Sequence, residues 1–251
     1  GDEVIVPALS WSTTYYPLQQ YGLKLRFVDI DIDTLNASVQ NIIKAYTKKT
    51  KLIVAVNILG NPIELSKLRS FCRSKKIYLM EDNCESMGAK INGKFTGTFG
   101  IVNTFSTFFS HHISTIEGGI ILTNDFEIYN LLLALRSHGW TRDLLNNFYL
   151  KKNQTKYENY CFALPGYNVR TTNLNAAIGL EQLKKLNKLV KIRRKNHRFF
   201  LELFKNDDRF ILQKFIGKNS CFAFTLVVKP KFKYLKNKIF KTLSKNKIEF
   251  R

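Results

Sequence analysis

Short apolar runs that alternate with amphipathic stretches are the feature that most constrains how this chain can fold. The apolar runs of strand length lie at residues 4–7, 25–30, 52–56, 77–80, 102–108 and 119–123. Stretches with helical periodicity lie at residues 11–21, 39–46, 63–74 and 126–137. Strands separated by helices need crossover connections, so the pattern predicts an α/β fold with a mainly parallel sheet covered on both faces. In such sheets ligands bind at the carboxyl ends of the strands.

The pattern changes after residue 140. Residues 141–160 are polar and rich in Asn and Lys, and a loop of this length in a compact protein usually belongs to a site or an interface. Thr172 is the predicted N-cap of a long helix with apolar residues at helical spacing. Beyond that helix we expect a strand at 221–228 and a basic helix at 234–244. Because the chain opens directly into a strand and stops without a terminating signal, we expect it to be truncated at both ends.

Charge and composition narrow the classes of function. A formal net charge of +21, from 40 Lys and Arg against 19 Asp and Glu, ordinarily suggests a nucleic-acid partner. Here the positive residues are spread thinly and thicken only in the last third of the chain. That distribution favours a solvated surface and attraction for a polyanionic small substrate such as a nucleotide diphosphate. No run of about 18 apolar residues is present, so we expect no membrane span and a cytoplasmic protein. The widely spaced cysteines predict reduced thiols and no metal site.

Residues 105–119, FSTFFSHHISTIEGG, carry the most specific signal in the chain. The segment resembles the cofactor-lysine motif of the DegT/DnrJ/EryC1/StrS family, fold-type I sugar aminotransferases that depend on pyridoxal 5′-phosphate (PLP). Aligned on Ser106 and on the Glu-Gly-Gly at 117–119, the lysine position of that motif is His111. A lysine amine can hold PLP as a Schiff base, whereas imidazole has no primary amine and can only move protons or donate hydrogen bonds. The resemblance therefore implies the family's fold but a different reaction.

A second segment resembles the same family in register. Residues 81–89, EDNCESMGA, are similar to the motif whose Asp pairs with the protonated pyridine nitrogen of PLP and keeps the ring able to accept electrons. The resemblance gives that role to Asp82. Glu85 occupies a position beside the ring's phenolic oxygen that is Gln or His in the transaminases. An acid there is typical of the family's sugar 3-dehydratases, which agrees with the histidine at 111.

Further cofactor contacts are implied by three other matches. Residues 7–11, PALSW, match a segment whose aromatic residue stacks on the cofactor ring, which makes Trp11 the stacking residue. Ser106 matches the serine that binds the cofactor phosphate. Residues 165–170, PGYNVR, resemble a segment whose Asn reaches the phosphate held by the partner subunit. By this resemblance Asn168 acts across the interface of an obligate homodimer.

The resemblance covers nearly the whole chain and implies how it divides. Residues 1–140 form a large cofactor-binding domain whose N-terminal part is missing. Residues 141–172 form a loop at the active site and the dimer interface. Residues 173–251 form the long helix and the start of a small α+β C-terminal domain, which is truncated.

His111 together with Asp82 implies dehydration, at C3, of a nucleotide-linked 4-keto-6-deoxyhexose in deoxysugar and lipopolysaccharide biosynthesis. The working form of the cofactor is then pyridoxamine 5′-phosphate (PMP), and His111 takes the proton from its C4′. An imidazole with a pKa near 6.5 suits the removal of that proton and the return of one to the departing hydroxide. The resemblance thus makes the chain a PLP- and PMP-dependent lyase.

Two subgroups of the family carry out this chemistry. One uses an iron–sulfur cluster held by a cysteine beside the Asp motif and by others in the loop after the His motif. Cys84 matches the first of these cysteines, but Thr141 to Tyr160 contains none. We therefore favour the subgroup that needs no cluster, which acts on GDP-4-keto-6-deoxymannose and takes its amine from L-glutamate.

Three other classes of function stay open from the residues alone. The first is an ordinary sugar aminotransferase whose lysine comes from elsewhere, although Lys90 and Lys94 fall in a turn poorly placed to reach the ring. The second is an inactive homologue in which the histidine pair are buried core imidazoles. The third is a nucleic-acid module, which predicts strongly salt-dependent binding. The nucleotide, the stereochemistry of the sugar and the pathway product do not follow from these residues.

Overall fold

A computed structural model describes residues 1–151, 155 and 160–250 of the chain. Its strands are β1 (Glu3–Pro7), β2 (Lys24–Val28), β3 (Thr50–Val56), β4 (Tyr78–Asp82), β5 (Lys90–Ile91), β6 (Lys94–Phe95), β7 (Val102–Ser106), β8 (Gly119–Leu122), β9 (Phe210–Leu212) and β10 (Leu226–Val228). Its α-helices are α1 (Tyr16–Gln20), α2 (Val39–Ala45), α3 (Leu65–Lys75), α4 (Phe126–Leu135), α5 (Asn173–Phe204) and α6 (Lys236–Lys245). None of the helices in these described ranges is long and apolar enough to cross a membrane.

The main sheet has the strand order β2-β1-β3-β4-β7-β8. Neighbouring strands run parallel except for β7 and β8, which pair antiparallel with Asn103 opposite Leu122. The predicted α/β fold with a mainly parallel sheet is confirmed. Each predicted strand of the sheet is present, and no strand end differs from the prediction by more than two residues.

Alternate side chains of the central strands enter two separate cores. Ile5 and Ile53 pack on one face of the sheet, in the core that also contains the buried residues of α2 and α3. Val4 and Val54, their neighbours in the chain, pack on the other face against Leu35 and other apolar side chains. Successive side chains of a strand point to opposite faces, so both faces of the sheet are covered, as the continuous apolar runs predicted.

Two predicted elements are wrong in part. The helix predicted at 11–21 is a 3-10 turn at Ser12–Thr14 followed by the short helix α1. Pro17 lies at the start of α1, where its missing N–H costs no hydrogen bond. A new helix therefore begins there, and no single helix runs through residues 11–21. The strand predicted at 221–228 forms only as β10. Cys221 has a φ of 55°, a left-handed conformation that breaks any strand at that point.

The segment after α4 is described only in part, because residues 152–154 and 156–159 of the predicted 141–172 loop lie outside the described residues. In the described part, Leu144 and Phe148 are buried against Ala134 of α4. Thr172 Oγ1 accepts a hydrogen bond from the backbone N–H of Asn175 at 3.2 Å, so the predicted N-cap of α5 is confirmed. The division into domains stays a prediction.

Candidate active site

The carboxyl edge of the main sheet collects most of the predicted site residues. Asp82 is the last residue of β4, and Ser106 is the last residue of β7. Trp11 follows β1 and precedes the 3-10 turn. Glu85 lies just beyond Asp82, and His111 lies in the turn between β7 and β8. Because parallel strands end at the same edge, the sheet itself brings these segments to one side of the molecule.

The Asp82 carboxylate is held from both sides. Its Oδ2 accepts a hydrogen bond from Thr14 Oγ1 at 2.8 Å, and its Oδ1 accepts one from the backbone N–H of Cys84 at 3.1 Å. Thr14 Oγ1 is also 2.9 Å from Ser10 Oγ. The link through Thr14 fixes the segment that carries Trp11 relative to Asp82. The Trp11 side chain is 63% exposed.

A second carboxylate supports the end of β4 from inside the protein. Glu81 is fully buried, and its oxygens accept hydrogen bonds from the backbone N–H groups of Gly97, Phe99 and Gly100 at 2.7, 2.7 and 2.9 Å. A buried carboxylate is tolerated when such donors replace water. Glu81 thus ties the strand end that presents Asp82 to the loop before β7.

Glu85 is fixed by a backbone group that the sequence did not identify. Its Oε2 accepts a hydrogen bond from the N–H of Leu59 at 2.6 Å. Leu59 lies in the turn after β3 and has a φ of 55°, a left-handed conformation. The side chain of Glu85 is therefore attached to the end of the neighbouring strand.

The thiol of Cys84 is partly buried and lies close to the Asp82 carboxylate. Burial raises its pKa well above the usual range, and the negative charge of Asp82 raises it further. Without a bound metal the thiol is therefore protonated at neutral pH. Within the described ranges, no group of at least three His, Cys, Asp or Glu side chains is arranged to hold a metal ion.

His111 lies in a turn that starts directly at the end of β7. The Ser106 hydroxyl accepts a hydrogen bond from the N–H of Phe108 at 3.2 Å, and the N–H of His111 donates to the carbonyl of Phe108 at 3.0 Å. The half-buried imidazole of His111 lies beside the rings of Phe108 and Phe222, with centroids 6.0 and 5.1 Å away. A contact with Phe222 was not predicted, because that residue is far away in the sequence and belongs to no recognised motif.

Asn168 is exposed. Its backbone forms a β-bridge with Ser137, just beyond α4, and the hydroxyls of Tyr167 and Tyr21 are hydrogen-bonded. An exposed side chain is compatible with a contact to a partner subunit. The role of Asn168, like the cofactor roles of the other predicted residues, stays a prediction.

The two lysines considered for an aminotransferase lie together in one hairpin. Lys90 and Lys94 belong to the hairpin formed by β5 and β6. The Lys90 ammonium group lies 4.0 Å from the centre of the Phe95 ring in that same hairpin. A surface contact of this kind is a cation–π interaction that keeps the amine on the hairpin.

Three comparisons place the chain among known proteins. The family model described as the DegT/DnrJ/EryC1/StrS aminotransferase family matches residues 1–251. The GDP-4-keto-6-deoxy-D-mannose 3-dehydratase of Yersinia pseudotuberculosis is 50% identical over 254 residues, which covers 100% of this chain and 65% of that protein. The chain therefore spans a little less than two thirds of the length of this relative.

Solved structures agree in fold. The Escherichia coli GDP-4-keto-6-deoxy-D-mannose 3-dehydratase with bound hydrated PLP is 48% identical, with a TM-score of 0.96 over 100% of this chain and 65% of that chain. A GDP-4-keto-6-deoxymannose 3-dehydratase with a trapped PLP-glutamate geminal diamine gives a TM-score of 0.95 at 48% identity, over 100% of this chain and 66% of that chain. The fold-type I architecture predicted for this chain is confirmed.

Proposed function

Because the chain belongs to the DegT/DnrJ/EryC1/StrS aminotransferase family, we propose that it forms the catalytic core of a sugar 3-dehydratase. Its substrate is GDP-4-keto-6-deoxy-D-mannose, which loses the C3 hydroxyl in deoxysugar and lipopolysaccharide biosynthesis. The observation that carries the proposal is that a histidine, His111, occupies the position of the family's cofactor lysine. The 50% identity to a dehydratase of this specificity supports it.

The residues at the carboxyl edge fit a pyridoxal-type cofactor. Asp82 presents a carboxylate whose hydrogen bonds from Thr14 and Cys84 hold it in one orientation, as a partner for a pyridinium nitrogen requires. Trp11 offers an exposed aromatic face, and Ser106 offers a hydroxyl at the end of β7. When bound, PMP would supply an amine for the sugar ketone and a ring that accepts electrons, and PLP would be the form that receives its amine from a donor. PLP and PMP are therefore the proposed cofactors.

His111 is the proposed proton carrier. A ring nitrogen of its imidazole accepts a proton as the reaction begins, and the imidazolium returns a proton to the C3 oxygen of the sugar, which leaves as water. The aromatic rings of Phe108 and Phe222 border the imidazole and limit its motion. Asp82 is the proposed partner of the pyridine nitrogen, and Glu85, fixed by the Leu59 N–H, contributes an acid beside the ring's phenolic oxygen.

The partners follow from the same assignment. L-glutamate is the proposed amine donor, and the trapped PLP-glutamate adduct in a related dehydratase supports this choice. The proposed assembly is a homodimer in which Asn168 reaches the cofactor phosphate of the other subunit. The exposure of Asn168 and of the neighbouring Tyr167 and Val169 supports an interface there. An aminotransferase is disfavoured because His111 has no primary amine and Lys90 packs on its own hairpin.

Dehydration is expected to proceed without iron. Full-length protein supplied with PLP, L-glutamate and GDP-4-keto-6-deoxy-D-mannose should release 2-oxoglutarate, ammonia and a 3-deoxy product through repeated turnovers, measured by mass spectrometry. The reason is that the 141–160 loop contains no cysteine, whereas iron–sulfur clusters are usually held by four thiolates. Iron analysis and a chelator provide the control. Stoichiometric iron with activity lost on chelation, or an absolute need for a reductase, would instead place the chain in the cluster-dependent subgroup.

A further inference from the structure

His112, the neighbour of His111, is buried, and the proposed reaction does not use it. Its side chain is 2% exposed, and its Nε2 lies 3.1 Å from the carbonyl oxygen of Ser220. A carbonyl can only accept, so Nε2 carries the hydrogen of this imidazole. Its Nδ1 has no hydrogen-bond partner among the described residues. Burial, opposed only in part by this hydrogen bond, lowers the pKa of His112 to about 4. The imidazole therefore stays neutral, and its bond to Ser220 persists at neutral pH.

The segment that receives this hydrogen bond is itself fixed to the turn after β3. The N–H of Ser220 donates to the carbonyl of Gly60 at 3.0 Å, and the N–H of Phe222 donates to the carbonyl of Leu59 at 3.1 Å. Gly60 has a φ of 83°, and a Cβ at this position would lie 2.7 Å from the Ser220 hydroxyl. Glycine at this point lets two distant parts of the chain meet.

Two arginines of α5 hold the same segment from the other side. Arg194 Nε donates to the carbonyl of Asn219 at 2.6 Å, and Arg193 Nη1 donates to the carbonyl of Phe222 at 3.0 Å. Hydrogen bonds from charged donors are stronger than neutral ones. Residues 219–222 therefore form a rigid strap, clamped between the turn after β3 and α5.

The strap lies next to two of the proposed site residues. Phe222 packs against the imidazole of His111, and Leu59, which binds the strap, also donates its N–H to Glu85. The bond from His112 to Ser220 attaches the backbone of the His111 turn to this same structure. One anchor thus fixes where His111 stands relative to Glu85.

We propose that His112 is a positioning residue, which as a neutral hydrogen-bond donor to Ser220 fixes the turn that carries His111. This proposal depends on the proposed function in one respect, which is the role of His111 as the proton carrier. Leucine fills a similar space but cannot donate, whereas the side-chain amide of glutamine can donate to a carbonyl and carries no charge.

The test compares His112→Leu with His112→Gln in the full-length protein. A displacement of a reacting group by about 1 Å costs roughly 100-fold in rate, so His112→Leu should lower kcat by about that factor with little change in KM. His112→Gln should restore kcat to within about threefold of wild type, because the donor is restored. His197→Leu is the matched control, since His197 is also buried and has ring contacts with Phe200, Phe215 and Phe224. It should leave kcat unchanged.

A second readout does not depend on turnover. Histidine-selective ¹⁵N NMR of the wild type should show His112 protonated at Nε2 alone at pH 7. The His111 signals should shift in His112→Leu, return in His112→Gln and stay unchanged in His197→Leu. Wild-type kcat and unshifted His111 signals in His112→Leu would overturn the proposal, as would a folded His112→Gln as impaired as His112→Leu. A wild type without dehydratase activity would instead refute the proposed function. The NMR signals would still show whether His112 fixes the position of His111.

Discussion

Replacing His111 with Asn is expected to abolish C3 dehydration while the cofactor stays bound. Asparagine keeps a polar side chain of similar reach but cannot take up and release a proton near neutral pH. General acid–base catalysis by one side chain contributes about 10²- to 10⁴-fold, so the rate should fall by at least this range. The measurement is the rate of 3-deoxy product formation by full-length His111→Asn, together with the visible absorbance of bound cofactor.

The control for this variant is His197→Asn, which removes a buried imidazole on α5. It should retain the wild-type rate even if it lowers the thermal stability. Loss of the C3 hydroxyl at the wild-type rate in His111→Asn would show that another group moves the proton, and the role assigned to His111 would have to be withdrawn.

Replacing Asp82 with Asn is expected to cost several kcal/mol of transition-state stabilisation, or about 10²- to 10³-fold in kcat. An amide cannot balance the charge of a protonated pyridine nitrogen, so the cofactor ring would accept electrons less readily. The amide also brings N–H donors to a group whose two oxygens now accept from Thr14 and from the Cys84 backbone. The measurement is single-turnover kinetics with PMP-loaded enzyme.

Asp29→Asn is the matched control, because Asp29 also follows a strand of the main sheet but is exposed at the edge strand β2. It should leave kcat unchanged. Turnover of Asp82→Asn within about threefold of wild type, a change of under ~1 kcal/mol, would rule out the ion pair with the cofactor ring.

The sequence was sufficient to predict the fold because its main signals are local. The apolar runs that became β1 and most of β3 are buried on both faces, and the absence of polar alternation in them indicated this directly. Thr172 was recognisable as an N-cap from its position before a long periodic segment. The prediction of one helix over residues 11–21 was wrong in part, because the helical spacing of apolar residues does not indicate the turn that precedes Pro17.

The candidate site was predictable only where its residues lie in short motifs. Asp82, Glu85 and His111 belong to such segments, and their assigned roles stay predictions. The groups that hold them carry no local signal: the Leu59 N–H depends on a left-handed turn, and Phe222 lies more than a hundred positions from His111. Contacts of this kind are set by tertiary packing, so the structure was needed to find them.

The central claim is that the protein is a dehydratase in which His111 replaces the family's lysine. The fate of the amine nitrogen tests this claim most directly. Full-length wild-type protein would be given ¹⁵N-labelled L-glutamate and GDP-4-keto-6-deoxy-D-mannose, and the products would be analysed by mass spectrometry. A dehydratase that uses His111 in place of lysine should release the label as ammonia and form a nucleotide sugar that lacks the C3 oxygen and carries no label. A labelled 4-amino nucleotide sugar that keeps its C3 hydroxyl would contradict the account and identify the protein as an aminotransferase.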